Sequence, residues 1–148
     1  MEGHNLIALE LAGFDSIQLP PNVPREARED YHEAQRCSQV DAYKGVVTLC
    51  RRALQIAVES VESKEADKKG SLRDKIDKLA QQEVISSDFA SLAHGIRFFG
   101  NYGAHPQEDE LKQITKVEAE TTFYLTGQLL SRLFKLSETS TGDWQKVE

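Results

Sequence analysis

Apolar residues recur at steps of three and four between Tyr43 and Val61, and this run constrains the fold more than any other feature. The spacing is that of an amphipathic helix about five turns long, with one apolar face available for burial. The apolar positions are Tyr43, Val46, Val47, Cys50, Leu54, Ala57, Val58 and Val61. The sequence therefore predicts a helix over residues 43–61.

Helices are also predicted on both sides of this segment. Pro24 suits a helix start, and the acidic residues that follow it favour the positive end of the helix dipole. We predict a helix over about 24–39, with inward positions at Ala27, Tyr31, Ala34 and Cys37 or Ser38. Ser71, with Asp74 three residues later, is close to a capping box and predicts a helix in SLRDKIDKLAQQ. Its apolar positions are Leu72, Ile76, Leu79 and Ala80.

Two more helices are predicted in the second half of the chain. The sequence SSD at 86–88 starts the first, which we expect to end near Phe99 and Gly100, where the apolar period stops. The second is predicted over about 113–136. Its expected buried positions are Val117, Thr121, Tyr124 or Leu125, Gln128 or Leu129, Leu133 and Leu136.

Five helices with short links and no convincing internal repeat predict an all-α antiparallel helical bundle, which we assign to residues 24–137. Residues 1–23 follow no helical period for long and end in a proline-rich stretch. They are predicted to form an extended N-terminal arm that lies on the bundle or on a neighbouring subunit. The polar residues 138–148 are expected to be a disordered tail.

Size and composition suit one soluble domain of 148 residues, 39% hydrophobic and 28% charged. The apolar runs are too short to span a bilayer, and the first residues lack the segments of a signal peptide. We therefore expect a cytoplasmic protein that does not contact the membrane. Cys37 and Cys50 form no CxxC motif and belong to no His/Cys cluster, so no metal site is predicted.

The formal net charge of −6 counts against strong nonspecific binding to nucleic acid, because domains that grip phosphates usually present a basic surface. Lys and Arg are concentrated at 64–78, but they alternate there with acids, as in a solvated face or loop. The sequence has no phosphate-binding glycine loop and no nucleophile elbow, and Glu-x-x-His occurs once, at Glu29 and His32, whereas a four-helix di-iron site needs two such motifs. No cofactor is predicted.

The stretch HGIRFFGNYGAHP, residues 94–106, carries the candidate catalytic residues Arg97, Asn101 and His105. They lie four residues apart, with Gly100 and Gly103 between them. In a functional interpretation they form a site completed across a homodimer. In an architectural interpretation Asn101 caps the helix end, where the glycines supply unusual backbone angles, and Arg97 pairs with an acid such as Glu59 or Glu33.

Arg51, Tyr102 and His94 are candidate binding residues. Arg51 flanks the apolar stripe of the 43–61 helix, where it either pairs with a carboxylate such as Glu33 or adds positive charge beside His105. His94 lies one turn before Arg97. Tyr102 follows Phe98 and Phe99, and the three aromatics are expected to supply an apolar contact surface unless the N-terminal arm covers them.

Four blocks of the sequence resemble a bacterial domain-of-unknown-function family, numbered four-one-four-five, that is found in or beside restriction and phage-defence proteins. The blocks are PREAREDYHEAQRC, AYKGVVTLCRRALQIAVE, SLRDKIDKL and IRFFGNYGAHP, in that order. The resemblance covers most of residues 24–136. It implies membership of the HEPN superfamily of helical nucleotide- and RNA-associated domains, and hence a HEPN-like fold and a homodimer.

The resemblance also implies an RNA-directed site. HEPN ribonucleases carry an Arg, often followed by Asn, and then a His after four to six residues, and they cleave RNA without a metal. Such cleavage needs a group that takes the proton of the ribose 2′-hydroxyl and a cation beside the phosphorane oxygens, which suits His and Arg. Asn101 and His105 match the second half of this pattern, but Gly100 stands where the Arg is expected.

Two functions are therefore carried forward. The first is a non-catalytic interaction module: a helical homodimer that serves a phage-defence, restriction or toxin–antitoxin system, with a protein partner from such a system, or that binds RNA weakly. The second is a metal-independent endoribonuclease in which His105 is the acid and base and Arg97 or Arg51 stabilises charge. We favour the first because Gly100 removes the expected cation and the chain is acidic.

Overall fold

The computed structural model describes residues 14–62, 70–104 and 114–147, and within them the side chains outside 101–104 and 135–147. These ranges form an all-α bundle and contain no β-strand. The helices are α1 (Arg25–Ser38), α2 (Tyr43–Val61), α3 (Leu72–Gln81), α4 (Ser87–Ala104) and α5 (Lys116–Val147). Helix α2 packs against each of the other four, so it is the centre of the bundle.

The predicted helices of the first half are confirmed, including the long apolar stripe on α2. Ala27, Tyr31 and Ala34 of α1 are buried, and so are the central positions of the α2 stripe. Those α2 positions are Val46, Val47, Cys50, Leu54, Ala57 and Val58. At the start of α3 the Ser71 hydroxyl accepts a hydrogen bond from the backbone N–H of Asp74 at 3.1 Å, which is the predicted cap.

Helix α4 does not end where the sequence predicted. It continues through Gly100 to Ala104, so Asn101 lies inside the helix and is not its cap. A glycine in a helix interior costs only about 1 kcal/mol relative to alanine, so it permits a break without forcing one. The close packing of Gly100 against α2, described below, gives the helix a reason to continue.

Helix α5 buries a different face from the predicted one. Val117 is 69% exposed and Thr121 is also exposed, although both were expected inside. Of the alternatives Tyr124 and Leu125, Leu125 packs against the core and Tyr124 is 53% exposed. The residues buried instead are Ala119, Thr122, Phe123, Thr126, Leu130 and Phe134, together with the correctly predicted Leu129 and Leu133.

Two threonines explain why the buried face of α5 differs from the predicted one. The hydroxyl of Thr122 donates to the carbonyl of Glu118 at 2.8 Å, and that of Thr126 donates to the carbonyl of Thr122 at 2.7 Å. A threonine whose hydroxyl bonds to its own helix presents mainly a methyl group to its neighbours, so it can be buried. Phe123, between them, stacks on Tyr31 of α1 with ring centroids 4.6 Å apart and thereby fixes the rotation of α5.

Both ends of α5 also differ from the prediction. Thr115 and Glu118 form a reciprocal cap: Glu118 N–H donates to Thr115 Oγ1 at 3.2 Å and Thr115 N–H donates to Glu118 Oε1 at 3.0 Å. The helix therefore begins at Lys116. It continues to Val147, past the expected end near 136. Extending a helix that has already formed requires no new nucleation step, so even a polar sequence can continue the helix.

Residues 14–23 run without helix or strand across the bundle. The hydroxyl of Tyr31 accepts a hydrogen bond from Ile17 N–H at 3.1 Å, and Gln35 donates to the carbonyl of Phe14 at 2.7 Å. Leu19 and Val23 are buried in the core. This part of the N-terminal segment is thus packed on the protein's own helices, whereas residues 1–13 of the predicted arm lie outside the described residues.

Candidate functional site

The candidate site lies where α2 crosses α4, and Gly100 allows the two helices to meet there. A Cβ at position 100 would lie 2.3 Å from the Cβ of Arg51 and 2.9 Å from its Cγ and Cδ. Such distances are far inside van der Waals contact, so the stem of Arg51 occupies the space that a side chain at position 100 would need. The crossing therefore places Arg51 of α2 directly beside the last turns of α4.

Arg97 lies one turn before Gly100 on α4, and its positive charge acts on Arg51. The pKa of Arg51 is lowered, first because burial disfavours the charged guanidinium and second because the charge of Arg97 is close. Both side chains are half-buried. Arg51 donates from Nη1 to the amide oxygen of Gln55 at 3.1 Å. Two like charges are thus held together at the crossing.

Arg97 carries a buried donor that is not satisfied. Its Nε is buried and has no hydrogen-bond partner among the described residues. Buried N–H groups in native proteins are usually bonded to protein or water, so this one calls for an explanation. Of its two expected acids, Glu59 pairs with Lys75 at 3.3 Å and Glu33 pairs with Arg36 at 3.8 Å. The predicted ion pair of Arg97 with either acid is therefore wrong.

A line of polar contacts leads from Arg51 along α2 to α3. Gln55, which accepts from Arg51, donates to Glu59 Oε2 at 3.5 Å. Glu59 and Glu62 both pair with the ammonium group of Lys75, at 3.3 and 3.0 Å. Lys75 is only 5% exposed, a burial that the sequence pattern of α3 did not indicate. Its flanking position beside Ile76 on the apolar face is the only signal that could have suggested it.

His94 lies one turn before Arg97 on α4 and is bound to α3. Its Nε2 is 2.8 Å from Oδ1 of Asp77, and its Nδ1 is buried without a partner in the part of the chain that the structure describes. His94 is half-buried. Its partner Asp77 was not predicted, because the apolar periodicity of one helix does not indicate which residues of another helix it contacts.

The remaining predicted site residues lie at the end of α4 or beyond it. Asn101 and Tyr102 belong to the last turn of the helix, and Asn101 follows Arg97 at the i,i+4 spacing of one helical face. The prediction for His105 falls outside the described residues. The structure thus brings Arg51 and Arg97 together.

The described ranges contain no group of three or more His, Cys, Asp or Glu side chains placed to hold a metal ion. Within the same ranges, no helix has the length and apolar character needed to cross a membrane.

Comparison with known proteins agrees with the motif blocks identified in the sequence. No curated protein and no solved structure matched the chain significantly. A family model described as "Domain of unknown function (DUF4145)" matches residues 32–146. That range includes α2, α3 and α4 completely, as well as the Arg51–Gly100 crossing. The chain therefore belongs to the DUF4145 family of domains of unknown function.

Proposed function

We propose that this protein is a non-catalytic helical interaction module that forms a homodimer and binds RNA weakly. The observation that carries the proposal is the packing of Arg51 against Gly100, where a Cβ would lie 2.3 Å from the Arg51 Cβ. In the HEPN pattern an arginine commonly stands directly before the asparagine. At this crossing a side chain as large as arginine would have to push α2 and α4 apart.

The expected strength of RNA binding follows from charge. The chain carries a formal net charge of −6, and the Arg51–Arg97 pair adds two positive charges at the crossing of α2 and α4. Affinity for a phosphate backbone grows with the number of phosphates that are neutralised, so a site with two arginines binds few of them. We therefore expect binding that is weak and that falls steeply with added salt.

The homodimer is supported by a half-exposed aromatic side chain on α4. Phe98 of α4 is 48% exposed and packs edge-on against Phe99, with ring centroids 5.7 Å apart. Exposed aromatic residues are typical of contact surfaces between proteins. The link to a phage-defence, restriction or toxin–antitoxin system, and to a protein partner from it, rests on the HEPN-like family resemblance.

Light scattering and RNA-binding measurements on the full chain test this proposal. We expect a dimer at micromolar concentration, and a labelled single-stranded RNA whose fluorescence anisotropy rises at low salt and returns on addition of salt. Phe98→Ser should shift the chain toward the monomer, whereas Tyr124→Ser, on the exposed face of α5, should not. A strict monomer that binds no RNA at low salt would refute the proposal.

A metal-independent endoribonuclease is the second candidate, and the length of α4 favours it. Because the helix continues to Ala104, Arg97 and Asn101 stand at the i,i+4 spacing of one helical face, and the charge of Arg97 acts on Arg51. With His105 as acid and base, these residues would supply the cation and the proton carrier for attack by the ribose 2′-hydroxyl. Cleavage of a mixed RNA pool in EDTA, compared between wild type and His105→Ala of equal helicity, separates the candidates. Cleavage that the variant loses favours the enzyme, and no cleavage by either favours the module.

A further inference from the structure

We propose that residues 14–20 of one copy of this chain bind to helix α1 of a second copy, so that the homodimer exchanges these segments between its two subunits. In the structure this arm segment, residues 14–20, lies on its own α1. The exchange rests on the homodimer proposed above and adds the segment and the helix that join the two copies. Three features support it: the contacts that α1 makes, the fit of the side chains, and the short link between the segment and α1.

Helix α1 binds the backbone of the arm segment through three side chains on one helical face, at positions 28, 31 and 35. They bond to backbone groups at positions 20, 17 and 14, so the segment is held at every third residue and runs antiparallel to the helix. Because these contacts are to the backbone, α1 holds the segment as it would hold a bound peptide. The three bonds are Arg28 Nη2 to the Pro20 carbonyl at 2.7 Å, Ile17 N–H to the Tyr31 hydroxyl at 3.1 Å, and Gln35 Nε2 to the Phe14 carbonyl at 2.7 Å.

The Tyr31 hydroxyl is held in place by the bundle itself. Gly127 of α5 leaves the space in which it lies, since a Cβ at position 127 would be 2.7 Å from the hydroxyl oxygen. The Tyr31 ring is buried and stacks on Phe123 with centroids 4.6 Å apart. A side chain that is already ordered loses little conformational entropy on binding. This contact point is therefore preformed, whichever copy supplies the segment.

The side chains of the arm segment fit the bundle at two anchor points. The ring of Phe14 stacks on Tyr43 with centroids 6.2 Å apart, and it lies 5.9 Å from the ring of Phe123. Leu19 is buried in the core. The surface thus accepts an aromatic residue followed by a leucine five positions later. The positions of the segment that face solvent are Asp15, Ser16 and Gln18.

The link between the arm segment and α1 is short and exposed. Pro21 and Asn22 lie in solvent, and the chain is buried again at Val23, just before the helix. The link forms a turn that is closed by a bond from Val23 N–H to the Pro20 carbonyl at 3.2 Å. Asn22 adds a bond to the Phe134 carbonyl at 3.2 Å. Opening this turn carries the segment away from its own α1 without disturbing a helix.

Reciprocal exchange favours a second copy over a foreign peptide as the occupant of α1. A second copy brings the same arm segment, so the contacts between segment and bundle form again with the same partners, and only the bonds of the turn are lost. A foreign peptide would have to displace a tethered segment of high effective concentration, whose own contacts would not be replaced. Exchange also suits a two-fold dimer, in which both copies contribute the same surface.

Amide hydrogen exchange in a mixture of two full-length variants tests this arrangement. The helix variant, Tyr31→Phe with Gln35→Ala, keeps its arm segment but loses two of the three bonds that hold it. The arm variant, Phe14→Ala with Leu19→Ala, keeps α1 but loses both apolar anchors. The helix variant alone is isotopically labelled, so NMR follows the Ile17 N–H of that chain only.

Addition of the unlabelled arm variant should slow exchange at Ile17 of the helix variant by about fivefold, the effect of one hydrogen bond regained. The matched control is the unlabelled helix variant at the same concentration, which offers no intact α1 and should leave the rate unchanged. Equal rates in the two mixtures would overturn the proposal. Should the arm variant fail to fold, Phe14→Ala alone removes a ring that is only partly buried, and it should slow exchange in the same way.

Light scattering and RNA binding on the same samples separate this inference from the proposed function. A dimer that shows no slowing at Ile17 would leave the homodimer intact and remove the exchanged segments from it. Slowing at Ile17 without RNA binding at low salt would keep the exchange, while the proposed RNA binding would fail. A strict monomer without slowing would overturn both the homodimer and the exchange.

Discussion

Arg51 of α2 packs the base of its side chain against Gly100 of α4, where a Cβ would approach the Arg51 Cβ to 2.3 Å. This contact determines how closely α2 and α4 approach each other and where the Arg51 charge lies. Because the stem of Arg51 is fixed there, its guanidinium remains near Arg97, whose charge lowers the pKa of Arg51 after the larger effect of burial. Packing and local charge are therefore coupled at one helix crossing.

Replacement of Gly100 by alanine should lower the free energy of unfolding by about 1–3 kcal/mol, the usual cost of overpacking a well-packed interior. The new methyl group would meet the Cβ of Arg51, which is attached to the backbone of α2 and cannot swing away. Urea denaturation followed by circular dichroism measures the change. Gly100→Arg should be more damaging still, for the same reason.

Gly95→Ala is the control, since a Cβ at position 95 would have no neighbouring heavy atom within 4 Å. Both glycines lie inside α4, so both substitutions gain helix propensity of about 1 kcal/mol. Gly95→Ala should therefore be neutral or stabilising. Equal effects of the two substitutions would contradict the packing argument.

The two cysteines should differ strongly in reactivity. Cys50 is fully buried, and burial raises the pKa of its thiol to about 12, although a hydrogen bond with Thr126 lowers it in part. Cys37 is half-buried, and burial raises its pKa too. Because the thiolate is the reactive form and needs access to the reagent, only Cys37 should react in the folded protein at about pH 8.

Titration with a thiol reagent, before and after unfolding in urea, measures this difference. The native protein should show one reactive thiol per chain, and the unfolded protein should show both. Cys37→Ser should leave almost no reaction in the native state. Rapid modification of native Cys37→Ser would show that Cys50 is accessible, contrary to the packing of α2.

The helices of the first half could be predicted because local pattern and tertiary burial agree there. The period of α2 runs without interruption through its stripe, and the cap at Ser71 is a contact between residues three apart. Such features depend only on residues that are close together in the sequence. They need no knowledge of what packs against the helix.

The face of α5 and the end of α4 could not be predicted in the same way. Thr122 and Thr126 are polar by type but become buried once their hydroxyls bond to the helix itself. Gly100 is a helix breaker by propensity but a packing residue in the fold. In both cases a contact between distant segments overrides the local preference.

The candidate site was predicted only in part, for the same reason. Arg51 and Arg97 were identified as charges near the motif, but their proximity depends on how two helices cross. The bonds of Lys75 to Glu59 and of His94 to Asp77 likewise join separate helices. The spacing of residues along one sequence does not indicate which residues of separate helices will pair with each other.

Tyr31→Phe should loosen the N-terminal segment without disturbing the core. The hydroxyl of Tyr31 accepts a hydrogen bond from Ile17 N–H at 3.1 Å, while its ring stacks on Phe123. Removing the oxygen alone should cost about 1 kcal/mol and leave the stack in place. Amide hydrogen exchange in the described N-terminal stretch, residues 14–23, should become faster while exchange in α2 changes little.

Tyr43→Phe is the matched control for this variant. The hydroxyl of Tyr43 bonds to Asp41 at 2.9 Å on the surface, and its ring stacks on Phe14 at a centroid distance of 6.2 Å. The substitution removes a hydroxyl that does not contact Ile17, so exchange at Ile17 should stay at the wild-type rate. Faster exchange at Ile17 in both variants would assign the effect to aromatic packing and not to the Tyr31 hydrogen bond.

Lys75→Met should strongly destabilise the fold. The Lys75 ammonium is buried between the carboxylates of Glu59 and Glu62, at 3.3 and 3.0 Å, and the Glu62 side chain is only 5% exposed. Methionine fills similar volume but leaves Glu62 as a buried charge without its cation, which costs about 3–5 kcal/mol. Lys78→Met, on the exposed face of the same helix, should change the free energy of unfolding by less than about 0.5 kcal/mol.

The pH dependence of unfolding gives a second test of the same network. Burial lowers the pKa of Lys75, but the bonds and charges of Glu62 and Glu59 raise it more, so the net pKa lies above 10.5. A raised lysine pKa stabilises the fold fully below 10.5, and this contribution is lost as the pH rises from 10.5 through the folded pKa. Urea denaturation of wild type and Lys75→Met at a series of alkaline pH values should show their stabilities converging. Exposed lysines titrate alike in both proteins and cancel in the comparison. A constant difference across this range would mean that the ammonium charge of Lys75 does not stabilise the network and that only its packing does.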